Sequence, residues 1–460
     1  MKIINILIAI TFTFFAVSSC KEHQKKENLN IIFIYADDWG YGDLGIHGST
    51  FCETPNIDKL AAGGIDFQNF VVNNPVCSPS RTAIMTGHFP ARHSVHGHFA
   101  SVESHMRRNM PDWLNPEAPM LPRILQNAGY KTAHFGKWHL SNTHVEDSPD
   151  PAHYGYDEYA AFNLPGRLHQ MSADSTVYKT IDFIERNHES PFFVNVWLHE
   201  SHTPHYPEEE YMMQFDHLDK QQQVYAAIIA KADADIGMLM AKIKELNIDD
   251  NTLVIFSSDN GPEYTGSGKT IEDASTGPGY GTYYSVGETG GLKGQKRSLL
   301  SGGVRTPFIA RCPSFIPEGQ VDRRSEIAGV DIFPTFLELA GIPLPEGYTA
   351  DGESIVKALK GEPFERKKTI YWDWRYARIN RPHWPSGAIQ KNSWKLLVNE
   401  EAGRRELYNI ANDWAEQENL IGQYPDKAKE MENDLNNWQS NLPEKANPAC
   451  FSKERKDLTD

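Results

Sequence analysis

The sequence is poor in cysteine, with five in 460 residues. None is spaced as CxxC, which excludes the common thiolate zinc sites and thioredoxin-like redox pairs. Basic charge is also in deficit: 45 Lys and Arg stand against 61 Asp and Glu, a formal net charge of −16. That excludes bulk nucleic-acid binding through a basic face. It does not exclude a small anionic ligand, because a local basic pocket can act inside an acidic protein. Internal repeats are absent, and after residue 20 no apolar run is long enough to cross a membrane. What remains is ordinary globular composition, 40% hydrophobic and 23% charged, with enough chain for two or three structural units and a large core.

The N-terminus reads as a targeting segment. Lys2 precedes an almost wholly apolar run over residues 3–17, shorter than the roughly 20 residues a spanning helix needs. It ends in Val17-Ser18-Ser19-Cys20, which resembles a bacterial lipoprotein box. Residues 1–20 are therefore expected to be a lipoprotein-type signal, with Cys20 lipidated and residues 21–29 as a tether. The chain is expected to be exported and held at the outer membrane, facing periplasm or cell surface, or otherwise to be periplasmic. Its contact with membrane would be through that lipid alone. Cys52, Cys312 and Cys450 allow at most one disulfide.

Short apolar runs at 31–36, 192–198, 253–258 and 307–310 are of buried-strand type. Their near-continuous hydrophobicity suits a sheet covered on both faces. Helical patterns lie between them. Thr54-Pro55 opens one and Gly63-Gly64 closes it. Residues 220–246 carry apolar positions at Val224, Ile228, Ala232, Ile236, Leu239 and Ile243. The fold class expected is α/β, a mostly parallel central sheet covered by helices, over residues 30–365. Residues 366–460 change texture and read as a smaller C-terminal α+β unit closed by a helix at 424–440. Residues 262–291 read as a long Gly/Ser/Thr-rich loop.

The run IIFIYA is followed at once by Asp37-Asp38, and LVIFSS by Asp259-Asn260. In open α/β sheets ligands bind at the carboxyl ends of strands. Two strands can thus aim three carboxylates and one amide oxygen at one point, where their mutual repulsion calls for a cation. All-oxygen donors favour calcium or magnesium over zinc. Taken singly, each pair is also readable as a polar turn. In Cys77-Ser78-Pro79-Ser80-Arg81, Pro79 can sit in a first helical turn and Gly87 can end the helix. Cys77 would then lie at a helix N-terminus, with Arg81 one turn away on the same face. The residues alone leave a buried structural cysteine and a thiolate nucleophile both open.

Pro75 to Gly87 (PVCSPSRTAIMTG) resembles the first signature of the type I formylglycine-dependent sulfatases, and Gly129 to His139 (GYKTAHFGKWH) resembles the second. Asp37-Asp38 and Asp259-Asn260 match the family's metal ligands in type, order and flanking sequence. The similarity covers most of residues 30–345. It implies an alkaline-phosphatase-like fold and sulfuric-ester hydrolysis. It implies that a formylglycine-generating maturation system converts Cys77, through its Cys-x-Pro-x-Arg context, to formylglycine. One hydroxyl of the hydrated aldehyde attacks sulfur and the other then expels sulfate. One calcium ion, with magnesium possible, would be held by Asp37, Asp38, Asp259, Asn260 and the modified residue 77. Arg81 would fix the nucleophile, Lys137 would contact the sulfate, and His139 would be the base of the second step. His202 and Lys296 would serve the leaving group.

Specificity lies mostly outside these motifs. The histidine-rich stretch 87–99 and the hairpin 372–384 (WDWRYARINRPHW) supply polar and aromatic groups suited to a sugar. The candidates are Arg92, His93, Arg375, Arg378 and His383. The resemblance is nearest to bacterial polysaccharide sulfatases of the N-acetylgalactosamine-6-sulfatase type. The expected substrate is a sulfated carbohydrate, such as algal polysaccharide or glycosaminoglycan, in polysaccharide degradation. The rival readings are a phosphonate or phosphodiester hydrolase of the same superfamily and a non-catalytic glycan-binding lipoprotein.

Overall fold

A computed structural model describes residues 29–165, 173–264, 279–375, 384–399 and 401–459. Cys20, the tether up to residue 28, Arg378 and His383 lie outside the described residues, as does part of the 262–291 stretch.

Fourteen strands lie among the described residues: β1 Asn30–Ala36, β2 Ile65–Phe67, β3 Phe70–Val71, β4 Lys131–Lys137, β5 Glu158–Phe162, β6 Phe192–Trp197, β7 Thr252–Ser258, β8 Phe308–Arg311, β9 Gln320–Asp322, β10 Ile327–Ala328, β11 Ile370–Asp373, β12 Gly387–Lys391, β13 Trp394–Asn399 and β14 Arg404–Asn409. Eight form one sheet in the order β5-β4-β6-β1-β7-β8-β2-β9. Only β8 runs against its neighbours; the other pairings are parallel.

In β1, Ile31, Phe33 and Tyr35 enter one core while Ile32, Ile34 and Ala36 enter the other. Burial on both faces explains why the run is continuous in apolar residues rather than alternating. The second core is roofed by Pro55–Ala62, Ala173–Asn187 and Lys220–Glu245, and the six periodic positions of the last helix are all buried. The first core is covered by Cys77–Thr86 and Ile332–Leu339.

Strands β11 to β14 form a separate antiparallel meander. Ile389, Leu396 and Leu407 pack under Met431 and Leu435 of the helix Pro425–Ser440. Each such side chain contributes roughly 1.5–3 kcal/mol by leaving water. Trp372, Ala388 and Leu397 join the main core instead. The Trp372 indole N–H donates to the Val72 carbonyl (2.8 Å), so the smaller unit is seated on the larger. The fold class is therefore α/β, with a mostly parallel sheet and a C-terminal α+β part.

Candidate active site

Strands β4, β6, β1 and β7 are neighbours and parallel, so their carboxyl ends open on one edge. Lys137 closes β4 and His139 follows it. His199 to His202 follow β6, Asp37-Asp38 follow β1, and Asp259-Asn260 follow β7. Asp38 and His139 hold positive φ, 66° and 53°, a strained conformation for such residues that clusters at functional sites. Cys77 opens the helix Cys77–Thr86, which is buried throughout and ends on Gly87 at φ 65°. A Cβ on Gly87 would stand 2.3 Å from the Tyr348 hydroxyl, so only glycine closes this helix.

The three acids are tied by cations and amides. Arg81 donates to Asp259 Oδ2 through Nε (3.0 Å) and Nη2 (2.6 Å). Its guanidinium lies over Trp197 at 4.6 Å. Asp37 Oδ2 accepts from the Lys137 ammonium and from His199 Nδ1 (2.7 Å). Asp38 accepts from Asn260 Nδ2 (2.7 Å) and Lys296 Nζ (2.5 Å). The Asp38 backbone N–H donates to Asp259 Oδ1 (3.2 Å). Two of the cluster's oxygens remain buried without a hydrogen-bond partner, Asp37 Oδ1, which has Arg81 Nη2 at 3.9 Å, and Asn260 Oδ1. Cys77 Sγ lies within 4.8 Å of carboxylate oxygens of both Asp37 and Asp259. Orphaned acceptors beside carboxylates, all hard oxygen donors, fit a divalent cation such as calcium or magnesium.

Electrostatics sorts these groups. Burial alone would raise Asp37, but Lys137 with His202 and His199 holds it well below the usual carboxylate range. Burial and the adjacent Asp37 push Asp259 up to about 7 against the pull of Arg81. Burial raises the Cys77 thiol despite Lys137, which disfavours an unmodified thiolate nucleophile. Burial, then Lys137, lowers both His139 and His202. His139 Nε2 donates to the Phe99 carbonyl (3.0 Å), leaving a buried Nδ1 without a partner.

The structure thus brings together Asp37, Asp38, Cys77, Arg81, Lys137, His139, His202, Asp259, Asn260 and Lys296. It adds His199, which sequence reasoning passed over although it stands at a strand end by the rule that located Asp37. Its ring stacks on His202 at 4.8 Å. Glu263 is also added, 3.8 Å from Lys296. Arg92 and His93 are placed elsewhere. Arg92 is paired with Asp351 (2.6 Å). Both residues line a separate cavity of about 240 Å³ with Asn115 and Lys445. His205, beside His202 in sequence, contacts the Ser285 hydroxyl (3.0 Å) and is buried. Arg375 is partly exposed, its backbone N–H donating to the His96 carbonyl (3.0 Å) and its Nε to Asp373 (3.1 Å). The histidines at 88–98 form no metal-ligand cluster among the described residues.

Cationic side chains gathered over strand-end carboxylates, beside a helix-borne cysteine, define a hydrolase for a small anionic ester. The chain belongs to the sulfatase family, whose family model, described as Sulfatase, matches residues 29–342. A second model, N-sulphoglucosamine sulphohydrolase, C-terminal, matches residues 287–442. The N-acetylgalactosamine-6-sulfatase of Sus scrofa is 32% identical over 381 residues, covering 74% of this chain and 68% of the relative. The N-acetylgalactosamine-6-O-sulfatase of Bacteroides thetaiotaomicron is 24% identical, covering 94% and 98%. The crystal structure of Ps i-CgsB in complex with k-i-k-neocarrahexaose matches with a TM-score of 0.78 and 26% identity, covering 94% of this chain and 96% of that one. The reaction class is hydrolysis of sulfuric esters.

Proposed function

We propose that this sulfatase removes sulfate from a sulfated carbohydrate, a polysaccharide or its oligosaccharides, and that Cys77 becomes its formylglycine nucleophile. The observation that carries the reading is the position of Cys77 Sγ, within 4.8 Å of both Asp37 and Asp259 oxygens, at the start of a buried helix. Oxidised by a formylglycine-generating system, residue 77 supplies a hydrated aldehyde, one hydroxyl to attack sulfur and the other to expel sulfate. A calcium ion held by Asp37, Asp38, Asp259 and Asn260 supplies positive charge beside the reacting oxygens.

The chain's own groups do the rest. Arg81 orients Asp259 and the first turn of its helix. Lys137 and Lys296 bind sulfate oxygens. His139 accepts the proton released as sulfate departs, and the neutral ring favoured by burial beside Lys137 suits a base. His202 and Lys296 steady the leaving sugar oxygen. The charge of an arriving sulfate favours the protonated ring that His202 then needs. Arg375 is the described hairpin residue best placed to meet sugar. The sugar-directed names of two relatives and the oligosaccharide bound by the structural neighbour support the carbohydrate class. Export with a lipid at Cys20 is the reading that the N-terminal run supports.

Mass spectrometry of the Cys77 peptide, from protein made with the maturation system, is expected to show aldehyde in place of thiol. Cys77→Ala is expected to release no sulfate. Fully active protein with an unmodified Cys77 overturns the proposal. Matched aryl sulfate and aryl phosphodiester substrates, compared by kcat/KM, separate it from the superfamily rival.

A further inference from the structure

A second cavity, of about 770 Å³, lies between the Tyr41–His47 segment and the Ile410–Trp414 turn of the C-terminal unit. None of the catalytic side chains lines it. Its charged lining consists of Arg305, Arg323 and Arg324, with no Asp or Glu. In a chain of net charge −16, a wall of one positive sign focuses potential for an anion. Arg305 and Arg323 donate to neutral oxygens of Gln68, at 2.9 Å each. Arg305 is only 3% exposed, and its Nε is buried without a partner. The carboxylates that act on Arg305 are engaged elsewhere: Glu416 pairs with Lys395 (2.7 Å) and Glu326 accepts from Ser393 (2.7 Å), while Asp66, behind the lining, contacts His47 (3.1 Å) and accepts from Gln68 (2.9 Å). A buried guanidinium is costly to leave unpaired. Asn69 Oδ1, also in the lining, is a second buried atom without a partner.

The cavity has an aromatic wall as well. Trp414 is 40% exposed and meets Tyr41 edge-on at 5.5 Å, with Arg305 Cζ 5.7 Å from its ring. Tyr41 stacks on His47 at 4.0 Å. An exposed indole face offers a platform for a sugar ring, guanidinium forks bind sulfate or carboxylate, and an amide oxygen accepts from a hydroxyl. Gln68-Asn69 follow β2 as Asp37-Asp38 follow β1, and the two strands point the same way, three positions apart in the sheet. At about 4.8 Å per strand the two sites are separated by roughly 14 Å along one edge.

We propose that this cavity is an ancillary subsite for a polyanionic sugar chain. It holds a sulfated or carboxylated unit several sugars away from the one being hydrolysed. The ligand's identity as a sulfated sugar rests on the function proposed above; the positive, aromatic cavity does not.

The test is direct binding by calorimetry to the full-length Cys77→Ala protein. The probes are size-defined chondroitin sulfate and carrageenan oligosaccharides, a carboxylate-only uronate chain, and inorganic sulfate alone. The expected result is affinity that rises with chain length and falls with salt. R323E/R324E is expected to weaken the long chains by about tenfold and the disaccharides by less than twofold. W414A is expected to weaken long chains with little change in salt dependence. An unchanged thermal melting temperature shows that the variants fold. Long and short chains weakened alike, or neither weakened, overturns the subsite. Retained binding of the uronate chain alone assigns the cavity to carboxylate in place of sulfate. Absence of sulfate release by active enzyme from every sulfated sugar defeats the proposed substrate without touching the binding result.

Discussion

Asp37 Oδ1 and Asn260 Oδ1 are buried without hydrogen-bond partners in a cluster that already holds three carboxylates. Such oxygens weaken the fold until a cation joins them. A cation that binds only the native state stabilises it by RT ln(1 + [L]/Kd), about 2.7 kcal/mol at a hundredfold excess over Kd. Calcium added to chelator-treated protein is therefore expected to raise the melting temperature. Asp37→Asn and Asn260→Ala are expected to lose most of that rise. A wild-type melting temperature indifferent to calcium and magnesium would count against the cluster as a cation site. At this scale the sequence showed Asp37, Asp38 and Asp259, because an acid directly after an apolar strand run is a readable pattern; Glu263, four residues beyond Asp259, carries no such mark. His199 directly follows the apolar run 192–198 and was open to the same rule, but its importance shows only with Asp37 Oδ2, which reaches it from another strand. Arg92 fails for the converse reason: nothing local to it announces Asp351, which lies 259 positions away.

Backbone elements set how these groups are aimed. Gly136 precedes Lys137 in β4 and holds φ 102°. A Cβ there would lie 2.0 Å from the Trp197 carbonyl of neighbouring β6. Gly136→Ala must push β4 away from β6, and Lys137 and His139 would move with it. The expected cost is about 1–3 kcal/mol from overpacking, plus strain at positive φ. Sulfate release should fall by more than the loss of folded protein accounts for. Activity per folded molecule, measured by titrating intact protein against its melting curve, checks this; an unchanged specific activity would show that β4 does not set the geometry. Elements marked by a continuous apolar run or a strong helical period were legible in the sequence, as in β1, β7 and the helix Lys220–Glu245. Strand β4 was not read as a strand, because KTAHFGK is polar at four of its seven positions; His134, Gly136 and Lys137 serve packing or the site. The reversal of β8 was equally invisible, since a short apolar run carries no sign of direction.

The whole molecule carries an acid sensitivity that follows from how its titratable groups are buried. Burial lowers eight histidines: His88, His93, His98, His105, His134, His139, His202 and His205. His134 falls to about 3 and His205 to about 4, whereas the unfolded value is near 6.5. These groups give stability that is complete above about pH 6.5 and is lost as pH falls below it, because the unfolded chain then takes up their protons. Five carboxylates oppose them, since burial raises Asp38, Asp43, Glu200, Asp233 and Asp259. In the folded state these hold protons that the unfolded chain releases. The lowered histidines outnumber the raised carboxylates, so unfolding takes up protons as pH falls through this range and stability drops with it. The urea midpoint is therefore expected to fall between pH 6.5 and 5. Saturating calcium keeps Asp38 and Asp259 ionised in the folded state, reducing the opposing set to three and steepening the slope. A midpoint that is flat or rises as pH drops would refute the histidine account. A slope that calcium leaves unchanged would mean that Asp38 and Asp259 do not release protons to the cation.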